Sequence, residues 1–210
     1  MSNMEYNPTI YSASKIWNNW RAIELRDKFD FNIIARWIDF DCGTKDNPTG
    51  AKVFTPTEKT VLWDGCSNDS TVCDMNVVYA EQKDEMRGAL VEMGMTIGAG
   101  LALGIPKPVY VIGDCTSFQV AGHSDVAFMY HRWVHRIKTT QFPDGSYNHR
   151  EGYSLARNHY LENYHPQKVF KETEFLHEGF TGGQSRFQQK ATSNAIELLR
   201  AKETALYELD

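Results

Sequence analysis

The sequence predicts an α/β fold: a doubly wound, Rossmann-like or flavodoxin-like, mostly parallel sheet flanked by helices. Over the first two thirds of the chain, short β-like runs alternate with helical patterns, which is typical of parallel strands joined by crossover helices. The 210 residues are 41% hydrophobic, 12% aromatic and 23% charged. This composition suffices for a buried core and is that of a globular protein rather than a disordered or fibrous one.

The predicted elements of the first half follow in chain order. A β-like run at residues 9–13 precedes helical spacing over 14–29, with Ser14 as the candidate N-cap, and then an Ile- and Trp-rich strand over 32–38. The polar, turn-rich connection at 41–56 is of the kind that carries substrate contacts. The remaining elements are a helix over 57–73, a strand over 75–80, a Gly-interrupted helix over 87–103 and a strand over 108–112.

The pattern changes after Gly113, because aromatic and His residues become dense and the strand signal disappears. We therefore divide the chain into an α/β core, residues 1–115, and a mainly helical or irregular extension, residues 116–210. We expect the extension to pack on the core or on a neighbouring subunit. Within it we predict a helix over 124–138, a polar Tyr- and Asn-rich stretch over 142–164 and an amphipathic helix over 185–209.

Charge and hydropathy exclude several classes of function. Lys and Arg number 22 against 27 Asp and Glu, and the resulting net charge of -5 repels a phosphate backbone, so we expect no polymeric nucleic acid as partner. No apolar run approaches the roughly 20 residues that cross a bilayer, and the N-terminus has no basic flank followed by an apolar stretch. The 4 Cys residues form no CxxC pair, which favours reduced thiols in a cytoplasmic protein.

No motif predicts a metal or another cofactor. His131 and His135 are spaced i, i+4, but Arg132 stands where the zinc-peptidase pattern requires Glu. The Gly-rich segment at 94–104 does not follow a strand and is neither a dinucleotide-binding nor a phosphate-loop motif.

The most unusual candidate for chemistry is Glu92, a single carboxylate on a helix that is apolar on nearly every side. Such a helix is buried, and a buried acid is costly unless it has partners or a task. The alternative is a structural carboxylate capped by backbone N–H groups or held by Arg87 or Arg21. In open α/β sheets the ligand lies beyond the carboxyl ends of the strands, which directs attention to residues 11–15, 80–88 and 113–117.

Four segments form a set in a characteristic order: TIYSA at 9–13, DMNVVY at 74–79, GALVEMG at 88–94 and PKPV at 106–109. Together they resemble the landmarks of the nucleoside 2-deoxyribosyltransferase superfamily, including its spacing of 18 residues between the strand acid and the helix acid. The chain is most similar to a bacterial and phage branch, and the resemblance covers roughly residues 9–115. The branch is matched by IYSASK at 10–15, WID at 37–39, LWDGC at 62–66, VYAE at 78–81 and GALVEMG at 88–94.

The resemblance implies N-glycosidic chemistry on a 2'-deoxynucleoside or its 5'-monophosphate. In the family the helix Glu attacks C1' of the sugar and expels the base, and that role falls here to Glu92. The first-strand Tyr of the family hydrogen-bonds this nucleophile, which implies the same for Tyr11; the alternative is a strand aromatic used only for packing. A carboxylate in an apolar site is a suitable covalent trap for an oxocarbenium-like centre.

The sequence also departs from the family pattern. Cys66 stands where the family has the acid that handles the leaving base, and Met86 stands six residues before the nucleophile, where the family has Asp or Ser. We take Asp69 as the candidate general acid and Asp74 as structural. The candidate substrate-binding residues are Ser12, Ser14, Lys15, Trp17, Arg21, Trp63, Glu81, Arg87 and Gly88, of which Lys15 and Arg21 have the alternative of an ordinary solvated helix face.

Three functions stay open at this point. The first is an enzyme that hydrolyses or transfers the glycosidic bond. The second is a nucleotide-binding or nucleotide-sequestering protein without turnover, which the changes at Cys66 and Met86 motivate. The third is glycosyl transfer or hydrolysis on NAD or a modified nucleotide. The resemblance further implies a homo-oligomer, and the location would be the cytoplasm, or the host cytoplasm if a phage encodes the chain.

Overall fold

Four strands form one sheet in which every neighbouring pair is parallel. The computed structural model describes residues 6–40, 54–81, 86–113 and 131–166. The strands lie in the spatial order of the chain and are β1 (Ile10–Ser14), β2 (Met75–Ala80), β3 (Val109–Gly113) and β4 (Val134–Ile137). The predicted α/β class with a parallel sheet is confirmed.

Helices cover both faces of this sheet. They are α1 (Asn19–Phe29), α2 (Pro56–Val72), α3 (Arg87–Leu103) and α4 (His149–Asn163). Tyr11 of β1 reaches Glu92 on α3, whereas the next residue of the strand, Ser12, reaches Tyr153 on α4. Because successive side chains of a strand point to opposite faces, α3 and α4 lie on opposite sides of the sheet. The structure is therefore doubly wound, as predicted, and every residue of β2 is buried at its centre.

The winding reverses at β1. Ile33 forms an isolated parallel bridge with Ile10, on the edge of β1 opposite to β2. Two backbone hydrogen bonds hold it there, from the Ile10 N–H to the Asn32 oxygen at 2.8 Å and from the Ile34 N–H to the Ile10 oxygen at 3.0 Å. The chain thus crosses first to one side of β1 and then to the other, so the ligand crevice of such a fold lies between the carboxyl ends of β1 and β2.

Several predicted elements are confirmed within one residue. The predicted strand over 75–80 and helix over 87–103 have the observed bounds of β2 and α3. The helix predicted over 57–73 begins one residue earlier, because Thr55 and Glu58 form a capping box and Pro56 occupies the first turn. The two strands beside β2 are shifted by one residue, since β1 covers 10–14 and β3 covers 109–113.

The strand predicted over 32–38 and the start of the first helix are wrong. Apart from the bridge at Ile33, the former segment turns into a 3-10 helix at Arg36–Asp39. Trp37 there donates its indole N–H to the Ser12 carbonyl oxygen at 2.8 Å, so its hydrophobic character serves burial rather than a strand. Ser14 ends β1 and does not cap a helix; its hydroxyl donates to the Tyr79 carbonyl oxygen, and α1 begins after a 3-10 turn at Ile16–Asn18.

The helix predicted over 124–138 is also wrong over its described residues, 131–138. Residues 134–137 form β4 and pair with β3, so His131 and His135 do not share a helix face. The polar stretch predicted over 142–164 contains α4, whose N-cap Asn148 accepts from the Glu151 N–H. The extension therefore contributes a strand and a helix to the sheet layers. The predicted helix over 185–209 and most of the connection at 41–56 lie outside the described residues.

Among the helices of the described ranges, none is both long and apolar enough to span a bilayer.

Candidate functional site

The site centres on Glu92 in the second turn of α3. This helix has 17 residues, RGALVEMGMTIGAGLAL, and packs an inner face of mainly apolar side chains on the sheet. Glu92 belongs to that inner face and is only 7% exposed. The sequence-based expectation of a buried carboxylate is therefore confirmed.

Tyr11 donates a hydrogen bond of 2.6 Å from its hydroxyl to Oε1 of Glu92. Tyr11 is fully buried at the second position of β1. Burial, and then the neighbouring Glu92 carboxylate, raise the pKa of the Tyr11 hydroxyl far above its ordinary value. The hydroxyl therefore keeps its proton and acts as the donor. Arg21, an alternative partner for Glu92, binds Glu81 instead.

The protonation of Glu92 is shifted towards neutral pH. Burial raises the pKa of this carboxyl from 4.5 to about 7, although the hydrogen bond from Tyr11 lowers it. Within the described part of the chain its hydrogen-bond partner is the neutral hydroxyl of Tyr11 and not a cation. A carboxyl group with this environment can act as a base or nucleophile when ionised and titrates in the range used by enzymes.

Asp69 forms a bidentate ion pair with Arg36 on the same side of the sheet. Arg36 Nε donates to Oδ2 at 2.8 Å, Nη2 donates to Oδ1 at 2.6 Å, and the Arg36 backbone N–H adds a third bond of 3.0 Å. A Cβ atom on Gly65 would collide with the Arg36 side chain, so glycine leaves room for the guanidinium to reach Asp69. Burial alone would raise the pKa of Asp69, but the bonds from Arg36 hold it below its ordinary value. These contacts do not favour Asp69 as a general acid.

Cys66 lies one turn before Asp69 on α2 and beside Tyr11. Its thiol is buried in the vicinity of the Tyr11 hydroxyl and the Glu92 carboxylate. Burial raises the pKa of Cys66 to about 11. The thiol is therefore neutral at physiological pH and is a weak donor or acceptor rather than a nucleophile.

Trp63 and Gly88 meet at the start of α3. The Trp63 ring is 3.9 Å from the position that a Cβ atom on Gly88 would occupy, and the residue is 44% exposed. An exposed indole beside the turn that leads to Glu92 offers a flat surface for a base or another aromatic group. Arg87 is exposed on the same turn.

The predicted residues at the end of β1 divide between the edge and the opposite face. The Ser12 hydroxyl shares a 2.6 Å hydrogen bond with Tyr153, so this side chain lies on the α4 side and away from Glu92. The Lys15 ammonium lies 5.4 Å from the centre of the Trp17 ring. The indole N–H of Trp17 is buried without a hydrogen-bond partner among the described residues. Ser14 links β1 to Tyr79 of β2, as described above.

Arg21 and Glu81 form a buried ion pair at the carboxyl end of β2. Arg21 Nη2 donates to Glu81 Oε1 at 2.7 Å, and the Tyr79 hydroxyl approaches the same oxygen at 3.4 Å. His149, the first residue of α4, lies 3.4 Å from Arg21 Nη1 and 3.0 Å from the Glu24 carboxylate. The surroundings of Arg21 thus include the start of α4, which lies within the stretch 142–164 that the sequence predicted as polar and not as a helix.

Two residues of the site, Asn76 and Thr96, were not predicted from the sequence. Asn76 donates to the hydroxyl of Thr96, one helical turn after Glu92, at 3.1 Å. A single amide in the otherwise hydrophobic strand MNVVYA is a signal that could have identified Asn76. Asp74, in contrast, has the predicted structural role, because its carboxylate accepts from the backbone N–H and hydroxyl of Thr9.

The structure brings together Tyr11, Glu92, Cys66 and Asp69 between the sheet and the helices α2 and α3, and it separates them from Ser12. Within the described ranges, no group of three or more His, Cys, Asp or Glu side chains is arranged to hold a metal ion. No protein-family model matches the chain, and comparisons with curated proteins and with solved structures found no match either.

Proposed function

We propose that the protein cleaves or transfers the N-glycosidic bond of a 2'-deoxynucleoside or deoxynucleoside 5'-monophosphate, with Glu92 as the nucleophile. The observation that carries this proposal is the 2.6 Å hydrogen bond from Tyr11 to a buried carboxylate that has no cationic partner among the described residues. Resemblance of residues 9–115 to the nucleoside 2-deoxyribosyltransferase superfamily supports the same chemistry.

The first step forms an ester. The Glu92 oxygen that does not bind Tyr11 attacks C1' of the sugar, the C1'–N bond breaks, and its electron pair leaves with the base, which takes up a proton from solvent water. In the second step water or a second base attacks C1', releases the carboxylate and gives its own proton to solvent. Tyr11 keeps its hydrogen bond to the other oxygen and so fixes the orientation of the attacking group.

The groups around Glu92 suit the substrate in two ways. The half-exposed Trp63 ring next to Gly88 can stack on a nucleobase. Lys15 lies at the end of β1, beside the crevice between β1 and β2, where a cation would attract a 5'-phosphate. Asp69 is excluded from our mechanism because Arg36 holds it in the ionised form.

A product assay with paired variants tests the proposal. The wild type and Glu92→Gln are incubated with the four deoxynucleosides, their monophosphates and NAD, with and without a free acceptor base, and the products are separated by chromatography. We expect free base or an exchanged nucleoside from the wild type only. Base release that is equal in Glu92→Gln would overturn the proposal. Release only when an acceptor base is present would identify a transferase.

A nucleotide-binding protein without turnover is the second candidate. It is favoured by the ion pair of Asp69 with Arg36 and by the high pKa of Cys66, because both leave the departing base without an evident acid. Binding of an intact nucleotide with no product after prolonged incubation would support this candidate, and any turnover that depends on Glu92 would exclude it.

We also infer that the protein acts in the cytoplasm, where nucleosides and nucleotides are metabolised, and in the host cytoplasm if a phage encodes it. A homo-oligomer is part of the same proposal, and the measured mass in solution by light scattering tests it.

A further inference from the structure

Two hydrogen bonds tie neighbouring strands to successive turns of α3. Tyr11 of β1 and Asn76 of β2 are register partners in the sheet. Tyr11 binds Glu92, and Asn76 binds Thr96, which lies four residues later on the same face of the helix. The site therefore contains a second contact, parallel to the first and one turn away.

The Thr96 hydroxyl joins three elements of the structure. It accepts from the Asn76 amide of β2, and it lies 2.7 Å from the Ser70 carbonyl oxygen of α2 and 3.0 Å from the Glu92 carbonyl oxygen of its own helix. Both Asn76 and Thr96 are fully buried. The backbone of Glu92 is thus linked through one hydroxyl to the sheet and to the neighbouring helix.

The inner face of α3 offers two polar side chains that can fix the rotation of the helix. Apart from Glu92 and Thr96, the buried residues of this face carry no polar side chain, and their apolar contacts have no directional preference. Hydrogen bonds are directional, so the bonds from Tyr11 and Asn76 select one rotation of the helix about its axis.

The side-chain amide of Asn76 is energetically unfavourable in a buried central strand. Its side-chain oxygen is buried without a hydrogen-bond partner among the described residues, and its neighbours in β2 are apolar or aromatic. A β-branched apolar residue would suit a buried central strand better. The presence of an amide at this position therefore indicates a role other than stability.

We infer that Asn76, through Thr96, is a positioning residue that sets the rotation of α3 so that the Glu92 carboxylate meets Tyr11. This inference rests on the proposed function, because it assigns to Asn76 the alignment of the proposed nucleophile. Asn76 does not touch the substrate in this arrangement.

The test is a carboxyl ¹³C NMR titration of Glu92, assigned with Glu92→Gln, combined with thermal melting. In Asn76→Val and Thr96→Val the hydrogen bond from Tyr11 weakens, and we expect the titration midpoint of Glu92 to rise by at least about half a pH unit. Asn76→Val should melt at the same or a higher temperature than the wild type. If turnover is detected, kcat should fall by about tenfold at unchanged KM.

Two variants serve as controls. Thr96→Ser keeps the hydroxyl and should keep the wild-type midpoint. Thr60→Val makes the same substitution at an exposed position of α2, where the hydroxyl bonds the Pro56 oxygen four residues earlier, and it should not move the midpoint. If Asn76→Val does not fold, the pair Thr96→Val and Thr96→Ser decides.

The outcomes separate the two proposals. Unchanged midpoints in both Asn76→Val and Thr96→Val would overturn the positioning role, whatever the activity. A raised midpoint in a protein that turns over none of the substrates would leave the positioning role in place and would refute the glycosidic reaction.

Discussion

Two glutamates of this protein are almost equally buried but have opposite surroundings. Glu92 on α3 is 7% exposed and Glu81 at the end of β2 is 8% exposed. Glu81 accepts from the Arg21 guanidinium at 2.7 Å, whereas Glu92 accepts from the neutral hydroxyl of Tyr11 at 2.6 Å. The first arrangement is that of a structural ion pair and the second is that of a reactive carboxylate.

The difference lies in what compensates the charge. A guanidinium neutralises a buried carboxylate, and the bonds from Arg36 hold the pKa of Asp69, on the same side of the sheet as Glu92, below its ordinary value. A tyrosine hydroxyl orients the carboxylate but does not neutralise it, so burial raises the pKa of Glu92 to about 7. An ionised Glu92 is thus less stabilised and more available to form a bond.

Turnover should separate the two glutamates most strongly. We expect Glu92→Gln to lower the rate of base release at least about 10³-fold, because the amide cannot form the glycosyl ester. Glu81→Gln should keep the rate within about tenfold, since Glu81 does not react. Chromatographic rates at saturating substrate provide the comparison, and equal losses in both variants would contradict it.

Folding stability should depend strongly on Arg21, the cationic partner of Glu81. Replacing Arg21 with Met leaves Glu81 buried without its counter-ion and should reduce the free energy of unfolding by about 3–5 kcal/mol. The matched control is Arg26→Met, whose carboxylate partners Asp27 and Asp39 are more than half exposed and which should cost at most about 1 kcal/mol. Urea unfolding at neutral pH measures the free energy of unfolding of both variants. A loss in Arg21→Met as small as that in Arg26→Met would show that the Arg21 pair is not important for stability.

The pH dependence of stability should identify the burial of Glu92. Its folded pKa of about 7 lies above the ordinary 4.5, so the protonated carboxyl stabilises the fold fully below pH 4.5. That contribution is lost as the pH rises through about 7. Relative to the wild type, Glu92→Gln should therefore gain about 3 kcal/mol between pH 4 and pH 8.5. Urea unfolding across this range provides the measurement, and a constant difference would contradict the raised pKa.

Removal of the orienting hydroxyl should have the smallest effect. The hydrogen bond from Tyr11 lowers the pKa of Glu92, so Tyr11→Phe should raise it further. The rate of base release rises as Glu92 ionises, so the pH–rate profile of the variant should be shifted to higher pH than that of the wild type. At pH 7 the variant should be about tenfold slower than the wild type. A pH–rate profile of both proteins is the measurement, and coincident profiles would show that Tyr11 serves only for packing.

The fold was predictable where hydrophobic patterns are continuous. β2 and α3 are long apolar segments, and their bounds follow from the sequence. β4 has only four residues, VHRI, and is apolar only at its first and last positions. The His and Arg between them suggest a helix face. The segment at 32–38 has strand-like composition, but Arg36 pairs with Asp69 and the chain turns there.

The site was predictable only in part, for a similar reason. The isolation of Glu92 in an apolar helix and the resemblance of its surroundings indicated Tyr11 and Glu92, which the structure brings into contact. The partner of Asp69 could not be predicted, because Arg36 is 33 residues away and reaches it across a glycine. The contact between Asn76 and Thr96 spans 20 residues and depends on how α3 packs against β2, which no local pattern contains.

The central claim, that Glu92 forms a covalent bond with the sugar, is tested most directly by mass spectrometry of an acid-quenched reaction. The peptide that begins at Gly88, after cleavage at Arg87, should gain the mass of a deoxyribosyl or phosphodeoxyribosyl group, with fragmentation locating it on Glu92. Glu92→Gln should carry no such group. Turnover that leaves the adduct on Asp69 or on another residue would contradict the account.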